Sequence, residues 1–169
     1  MFTRALLIFT LFLFFFNQVS AQTNLWTDIR EKEIQLSPNA ERHIFPTTFR
    51  TLKLEKAAIE TALASAPNEV DFYQGSPGIV LEFPTPDGTY ERYEVWYSPV
   101  MAPELCAQYP NIRSYAGRSI KGTASLIRFD VSPNGLNFMC RQPGKSTFFI
   151  APYAFNDASI QREIGRAHV

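Results

Sequence analysis

This chain contains few of the residue types on which most enzyme chemistry depends. It has two histidines, His43 and His168, and two cysteines, Cys106 and Cys140. A zinc peptidase needs an HExxH helix, with two histidines one turn apart and a glutamate acting as base, and this sequence has none. A serine hydrolase needs a nucleophile beside a histidine and an acid, and G-x-S-x-G is missing too. We therefore predict no catalytic, cofactor-binding or metal-binding residues in this chain.

Three glutamates of one predicted hairpin are the remaining candidates for acid–base chemistry. Glu82, Glu91 and Glu94 could act as a carboxylate pair of the kind that cleaves glycosides. Acids that alternate along a hairpin more often form its solvated face, which is the interpretation we adopt. His43 lies in an irregular segment with few chemical partners, and we interpret it as a surface or structural residue.

The N-terminal 21 residues have the pattern of a signal peptide. Arg4 supplies a positive charge, residues 5–16 form an apolar run, and residues 17–21 end in small side chains. We predict cleavage between Ala21 and Gln22. A membrane anchor needs about 20 apolar residues, and this run is shorter. The sequence thus predicts a secreted protein that is not held in the membrane after cleavage.

The remaining residues, 22–162, are enough for one domain with a substantial core. The whole chain has 16 basic and 16 acidic residues, and no stretch is rich in lysine or arginine. A chain with balanced charge has no bulk electrostatic attraction for nucleic acid or for an anionic membrane surface. We therefore predict neither as a partner.

A strand, a turn and a strand centred on Asp87 form the best-defined part of the predicted fold. Residues 79–83 are apolar, and residues 90–97 are rich in aromatic and β-branched side chains, as in half-buried strands. Between them, Pro86 presets φ, Asp87 can bond its own backbone, and Gly88 accepts a positive φ. This pattern predicts an antiparallel hairpin.

The other segments have weaker patterns. An amphipathic helix is predicted over residues 51–66, where apolar residues recur on one face and Pro67 follows. In an extended N-terminal arm, Leu25, Trp26 and Ile29 are predicted to dock on a partner surface. Further predicted elements are a helix from Pro103, strands at 112–115, 125–131, 136–140 and 147–151, a loop at 117–122 and a tight turn at 132–135. Together they predict an α+β, β-rich fold: an antiparallel meander or sandwich-like sheet with one amphipathic helix.

Four motifs in the second half of the chain resemble those of one protein family. They are YSPVMAPEL (97–105), YPNIRSYAG (109–117), ASLIRFDVSPNGL (124–136) and FFIAPY (148–153). In this order they resemble the N-terminal prodomain of secreted bacterial zinc metallopeptidases of the reprolysin-like group. The resemblance covers most of residues 25–153, and none of its motifs is catalytic.

The resemblance implies that residues 22–162 are most of a prodomain, which assists folding of a catalytic domain and inhibits it until cleavage. That catalytic domain of the same precursor would be the partner and would hold the zinc ion, whereas this chain would not be an enzyme by itself. The alternative from another class is a free-standing secreted β-sandwich module that binds a glycan or another protein.

Cys106 and Cys140 allow three interpretations. A secreted protein meets an oxidising compartment, so the two can pair in a disulfide. They can also be separate buried thiols. The third interpretation is a cysteine switch, in which a prodomain thiolate occupies the open position on the peptidase's zinc. The residues around both cysteines differ from the switch motif of other metalloprotease prodomains, and the sequence leaves the alternatives open.

The last residues, 163–169, resemble the translated read-through of a sequencing adapter. The adapter codons ATC-GGA-AGA-GCA-CAC-GTC would encode residues 164–169. We therefore expect residues 163–169 to be non-native and the natural reading frame to continue toward a protease domain.

Overall fold

The computed structural model describes residues 24–164. The predicted signal peptide, with its cleavage site between Ala21 and Gln22, lies outside the described residues, as do residues 165–169 of the predicted read-through. Among the residues described, no helix is long and apolar enough to cross a membrane.

Nine strands and three short helices make up the described part of the chain. The strands are β1 (Trp26–Asp28), β2 (Arg50–Leu54), β3 (Ile79–Pro84), β4 (Tyr90–Tyr97), β5 (Arg113–Ser119), β6 (Leu126–Ser132), β7 (Gly135–Arg141), β8 (Phe148–Ala154) and β9 (Asp157–Ile164). The helices are α1 (Lys56–Leu63), α2 (Glu69–Tyr73) and α3 (Pro103–Gln108), and a 3₁₀ turn covers Glu31–Glu33. The strands form a single antiparallel sheet of order β1-β2-β9-β8-β7-β6-β5-β4-β3. The predicted fold class is confirmed, because β3 to β9 follow one another as a meander.

Both predicted hairpins and the predicted helix start are present. β3 pairs with β4 along the whole of β3. In the turn between them, the Thr85 N–H donates to the Thr89 carbonyl at 3.0 Å, and Gly88 has a φ of +85°, which residues with a Cβ rarely adopt. The turn at residues 132–135 joins β6 to β7, and α3 begins at Pro103.

Aromatic side chains fill the inner face of the sheet and show that the sheet is curled. Phe83 of β3 stacks on Phe138 of β7 with ring centroids 4.6 Å apart, and both rings are buried. Three strands separate β3 from β7, so in a flat sheet these strands would lie about 19 Å apart. The sheet therefore curves around its own side chains, and Ile59 of α1 packs against the same cluster. The interior is packed with side chains rather than hollow.

The curvature brings the two edge strands, β1 and β3, together. Trp26 of β1 is 1% exposed, and its Nε1 donates to the Glu82 carbonyl of β3 at 2.9 Å. At the same seam, Arg50 forms a bidentate ion pair with Asp28 (2.6 and 2.7 Å) and lies over the ring of Tyr90. Side chains, rather than a backbone ladder, thus join the two edges.

The predicted helix over residues 51–66 is wrong in its first turn. Arg50–Leu54 forms β2, in which Leu52 and Leu54 are buried and Lys53 is exposed. This alternation has the period of a strand, and β2 pairs with β1 on one side and β9 on the other. Helix α1 begins only after this strand, because backbone pairing with two distant segments overrides the local helical pattern.

The three residues of the N-terminal arm that were predicted to dock on a partner pack against this domain instead. Leu25 and Trp26 pack into the main core, and Ile29 packs against a second apolar cluster on β8 and β9. Farther along, Asp157 Oδ2 accepts hydrogen bonds from both the N–H and the hydroxyl of Ser37, each at 3.1 Å. Leu25, Trp26 and Ile29 therefore stabilise this domain itself.

β5 continues through Gly117 to Ser119, where a loop was predicted. The glycine serves close packing here, not a turn: a Cβ at Gly117 would lie 2.9 Å from the Glu94 carbonyl oxygen and 2.9 Å from the Ile127 side chain. Such distances are shorter than real Cβ contacts, so the strand needs glycine at this position.

The sheet also extends beyond the last predicted strand. β8 runs to Ala154, and β9, which was not predicted, follows it. β9 lacks an apolar alternation, because its buried residues include Gln161, Arg162 and Glu163. Burial raises the pKa of the Glu163 carboxyl to about 7. The first two residues of the predicted read-through, 163 and 164, lie in this strand.

Candidate functional site

Cys106 and Cys140 are both free thiols and have different surroundings. The Cys140 side chain is fully buried, its Sγ lies 3.4 Å from the Tyr93 hydroxyl, and burial raises the pKa of its thiol. Cys106 is half-buried in α3, where its Sγ donates to the Met101 carbonyl at 3.5 Å. The structure thus has no disulfide between them.

The three glutamates of the hairpin have different partners. Glu82 and Glu94 each form an ion pair with an arginine. Glu91 is only 7% exposed, so its assignment to the solvated face is wrong. Its carboxylate accepts hydrogen bonds from the hydroxyls of Ser119 (2.5 Å) and Thr123 (3.1 Å), which offset the cost of burying it. These contacts give Glu91 a structural role.

His43 is at the surface. Its Nε2 lies 3.4 Å from Glu41 Oε2, and 65% of its side chain is exposed. Its ring also approaches the Phe155 ring edge-on. Within residues 24–164, no three or more histidine, cysteine, aspartate and glutamate side chains are grouped so that they could hold a metal ion.

A groove of about 310 Å³ crosses the solvent face of β5, β6, β7 and β8. Apolar side chains form part of its wall: Val100, Met139 and Phe149. Polar side chains line the rest: Ser114, Arg128, Asp130 and Asn137. A surface concavity that combines apolar walls with a few polar groups is a typical binding site.

The register of the sheet places the groove side chains in two rows. In the first row Arg128 pairs with Met139, and Met139 pairs with Phe149. Adjacent strands lie about 4.8 Å apart, so a guanidinium, a thioether and a phenyl ring stand side by side over about 10 Å. In the second row the Asn137 Nδ2 donates to Asp130 Oδ2 at 3.1 Å.

A short chain of hydrogen bonds orients Arg128. Its Nη1 donates to the Ser98 hydroxyl at 3.0 Å, and that hydroxyl donates to Glu69 Oε2 at 3.0 Å. A guanidinium has five N–H donors, so most of its donors remain available to a ligand. Among the residues that the structure describes, no carboxylate forms a salt bridge with Arg128.

The segment from residue 98 to residue 112 reaches the groove at Val100 and exposes apolar side chains. Val100 is 74% exposed, Tyr109 48% and Leu105 45%. Val100 also lines the groove itself. Exposed apolar side chains near a groove are a feature of surfaces at which proteins bind other molecules. We call residues 98–112 the apolar rim. The groove and the apolar rim together form the candidate site.

Sequence reasoning missed the groove, although one signal for it was present. In the strand predicted at 136–140, Phe138 and Cys140 face the core, so Met139 between them must face solvent. Phe149 stands in the same relation to its neighbours Phe148 and Ile150. Large apolar residues at solvent-facing strand positions were the signal.

No protein-family model, curated protein or solved structure matches this chain. The resemblance to a reprolysin-like prodomain therefore stays a prediction that rests on the four sequence motifs.

Proposed function

We propose that this chain is the pro-region of a secreted zinc metallopeptidase precursor. In this role it assists folding of the catalytic domain and keeps that domain inactive until the connection between them is cut. The groove and the apolar rim are the surface that contacts the catalytic domain.

The proposal is supported by the finding that the family-like motifs and the exposed apolar side chains occupy the same segment. The apolar rim belongs to YSPVMAPEL and YPNIRSYAG, the motifs that resemble the prodomain family, and these motifs contribute Val100, Leu105 and Tyr109 as exposed side chains. Exposed apolar side chains are unfavourable in water unless a partner covers them. The motifs and the apolar surface thus support the same kind of function, which is binding to another protein.

The packed interior favours an outer binding surface over an internal one. Tyr93, Phe129 and Phe138 fill the space enclosed by the sheet and are at most 4% exposed. A small apolar ligand would have to displace these rings, which would cost the packing that stabilises the fold. A ligand or partner therefore has access to the solvent face.

Covalent linkage explains how a modest interface would be sufficient. A binding domain joined to its target by a linker has a high effective concentration, so even a weak contact keeps the target occupied. After cleavage, the same contact competes with dilution and the protease is released. We expect an affinity in trans of about micromolar, or about −8 kcal/mol.

The test is a peptide-hydrolysis progress curve of the mature protease from the same precursor, with increasing amounts of this chain. We expect the rate to fall as the chain is added. The Met139→Asp variant should inhibit much less, because it puts a charge in the apolar part of the groove. Val80→Asp on β3 is the matched control, since Val80 is 45% exposed and Met139 40%.

An unchanged rate at high micromolar concentrations of the wild-type chain would contradict inhibition. Equal inhibition by the Met139→Asp and Val80→Asp variants would contradict the assignment of the contact surface. Cys106→Ser and Cys140→Ser, measured under reducing conditions, separate a surface contact from a cysteine switch. We expect both serine variants to inhibit as the wild type does, provided that they are folded.

A further inference from the structure

We propose that the groove binds an extended segment of the catalytic domain in which a carboxylate lies two residues from a large apolar side chain. The identity of the partner rests on the function proposed above, whereas the chemistry of the bound segment is argued from the groove alone. The carboxylate binds Arg128, and the apolar side chain inserts between Met139 and Phe149.

The positive charge of Arg128 indicates that the bound segment contributes a carboxylate. Arg128 is exposed, and within residues 24–164 it has no acidic partner in a salt bridge. Ser98, which is itself bonded to Glu69, accepts one hydrogen bond from the guanidinium Nη1 and leaves the other N–H donors available to a ligand. Planar guanidinium forks bind carboxylates through two parallel hydrogen bonds, which gives both strength and orientation.

The spacing of Arg128, Met139 and Phe149 in the first row predicts that the bound peptide has an apolar side chain, and it predicts how far that side chain lies from the peptide's carboxylate. The gap between Met139 of β7 and Phe149 of β8 is centred about one and a half strand spacings, or about 7 Å, from the strand of Arg128. Residues i and i+2 of an extended peptide lie on one face and are separated by about 6.6 Å. An extended peptide that runs across the strands can therefore bind Arg128 through an acidic residue i. Its residue i+2, which is on the same face of the peptide, then lies in the gap between Met139 and Phe149.

Asp130 provides a test of whether the bound group is negatively charged. It lies two residues from Arg128 on the same face of β6, at about 7 Å, and its charge repels a bound carboxylate. Its hydrogen bond from Asn137 can be retained by an asparagine at the same position. Removing the Asp130 charge should therefore strengthen binding of the carboxylate, while removing the Arg128 charge should weaken it and end the preference for a carboxylate over a neutral amide.

The experiment is a titration of the ¹⁵N-labelled full chain, followed by NMR, with three blocked peptides. The probes are acetyl-Ser-Asp-Ser-Phe-Ser-amide, the same peptide with Asn in place of Asp, and the same peptide with Ser in place of Phe. We expect the first peptide to bind with a dissociation constant of about 1 mM and to shift the signals of β6, β7 and β8. Each of the other two should bind about tenfold more weakly.

Two variants complete the test. Arg128→Gln should lose the preference for the Asp peptide over the Asn peptide, and Asp130→Asn should bind the Asp peptide about twofold more tightly. Equal affinities for the Asp and Asn peptides on the wild-type chain would overturn the inference, as would shifts confined to other parts of the sheet.

This result is independent of the protease assay. If the chain inhibits the protease but does not distinguish the peptides, the inference is wrong and the proposed function stands. If the chain selects the Asp peptide but leaves the protease active, the chemistry of the groove stands and the proposed partner is wrong.

Discussion

Cys106 and Cys140 differ in how far water reaches their sulfur atoms. The raised pKa of the buried Cys140 thiol disfavours the thiolate, which is the reactive form, whereas Cys106 is only half-buried. We therefore expect an alkylating reagent to modify Cys106 in the native protein and Cys140 only after unfolding. Mass spectrometry of the alkylated chain, with and without denaturant, measures this.

The Cys106→Ser variant is the control for this experiment, because its native form should contain no rapidly modified thiol. If neither cysteine of the wild-type chain reacts in denaturant without a reducing agent, the two are joined in a disulfide. That result would contradict the free thiols of the structure.

Asp87 makes the hairpin turn sensitive to acid. Its Oδ1 accepts hydrogen bonds from the hydroxyls of Thr85 (2.6 Å) and Thr89 (2.8 Å), and these bonds lower the pKa of the carboxyl from 3.8 to about 2. A carboxyl with a depressed pKa in the folded state stabilises the protein above its unfolded pKa, and this contribution is lost as the pH falls. The stabilisation should therefore be complete above about pH 4 and disappear toward pH 2.

The comparison is with Asp87→Asn, which keeps the acceptor oxygen and cannot titrate. Between pH 5 and pH 2, the free energy of unfolding from denaturant titrations should fall more for the wild type than for the variant. Parallel curves for the two proteins would show that Asp87 is not held as an anion by its neighbours.

The Trp26 indole forms the hydrogen bond that joins β1 to β3. Replacing Trp26 with phenylalanine removes the N–H that binds the Glu82 carbonyl and leaves a buried acceptor unpaired. We expect the free energy of unfolding to fall by about 1–3 kcal/mol from this lost bond, in addition to the smaller ring. Denaturant titration of the variant measures the loss.

Trp96→Phe is a matched control. Trp96 is also buried, but its Nε1 has no hydrogen-bond partner among the described residues, and its ring stacks on Phe72 at 4.1 Å. The same atoms are deleted without breaking a hydrogen bond, so this variant should lose less stability than Trp26→Phe. A larger loss for Trp96→Phe would show that the indole does not hold the seam.

Elements with local signals could be predicted, and those that depend on distant pairing could not. Pro86, Asp87 and Gly88 encode the central hairpin within three residues, so its turn follows from the sequence. Leu52 and Leu54 fit both a helix and a strand, and the strand is selected by pairing with β1 and with β9, which is more than a hundred residues away. β9 has little apolar pattern of its own because Gln161 and Arg162 are among its buried residues.

The groove belongs to the molecule as a whole, and for this reason the sequence did not predict it. Val100, Arg128, Met139 and Phe149 come from four separate segments. Their proximity follows from the order of β5 to β8 in the sheet and from the register of each pair. The described residues that sequence reasoning considered for chemistry, which are the two cysteines, His43 and the three hairpin glutamates, do not line the groove.

The central claim is that the groove and the apolar rim contact the catalytic domain of the same precursor. Amide hydrogen exchange, measured by mass spectrometry on the chain alone and on the chain mixed with that domain, tests this claim most directly. We expect exchange to slow in residues 98–112, 126–130 and 137–151, and to be unchanged in residues 30–45 and in the hairpin turn at residues 85–89. Unchanged exchange throughout the chain, or slowing confined to residues 30–45, would contradict the claim.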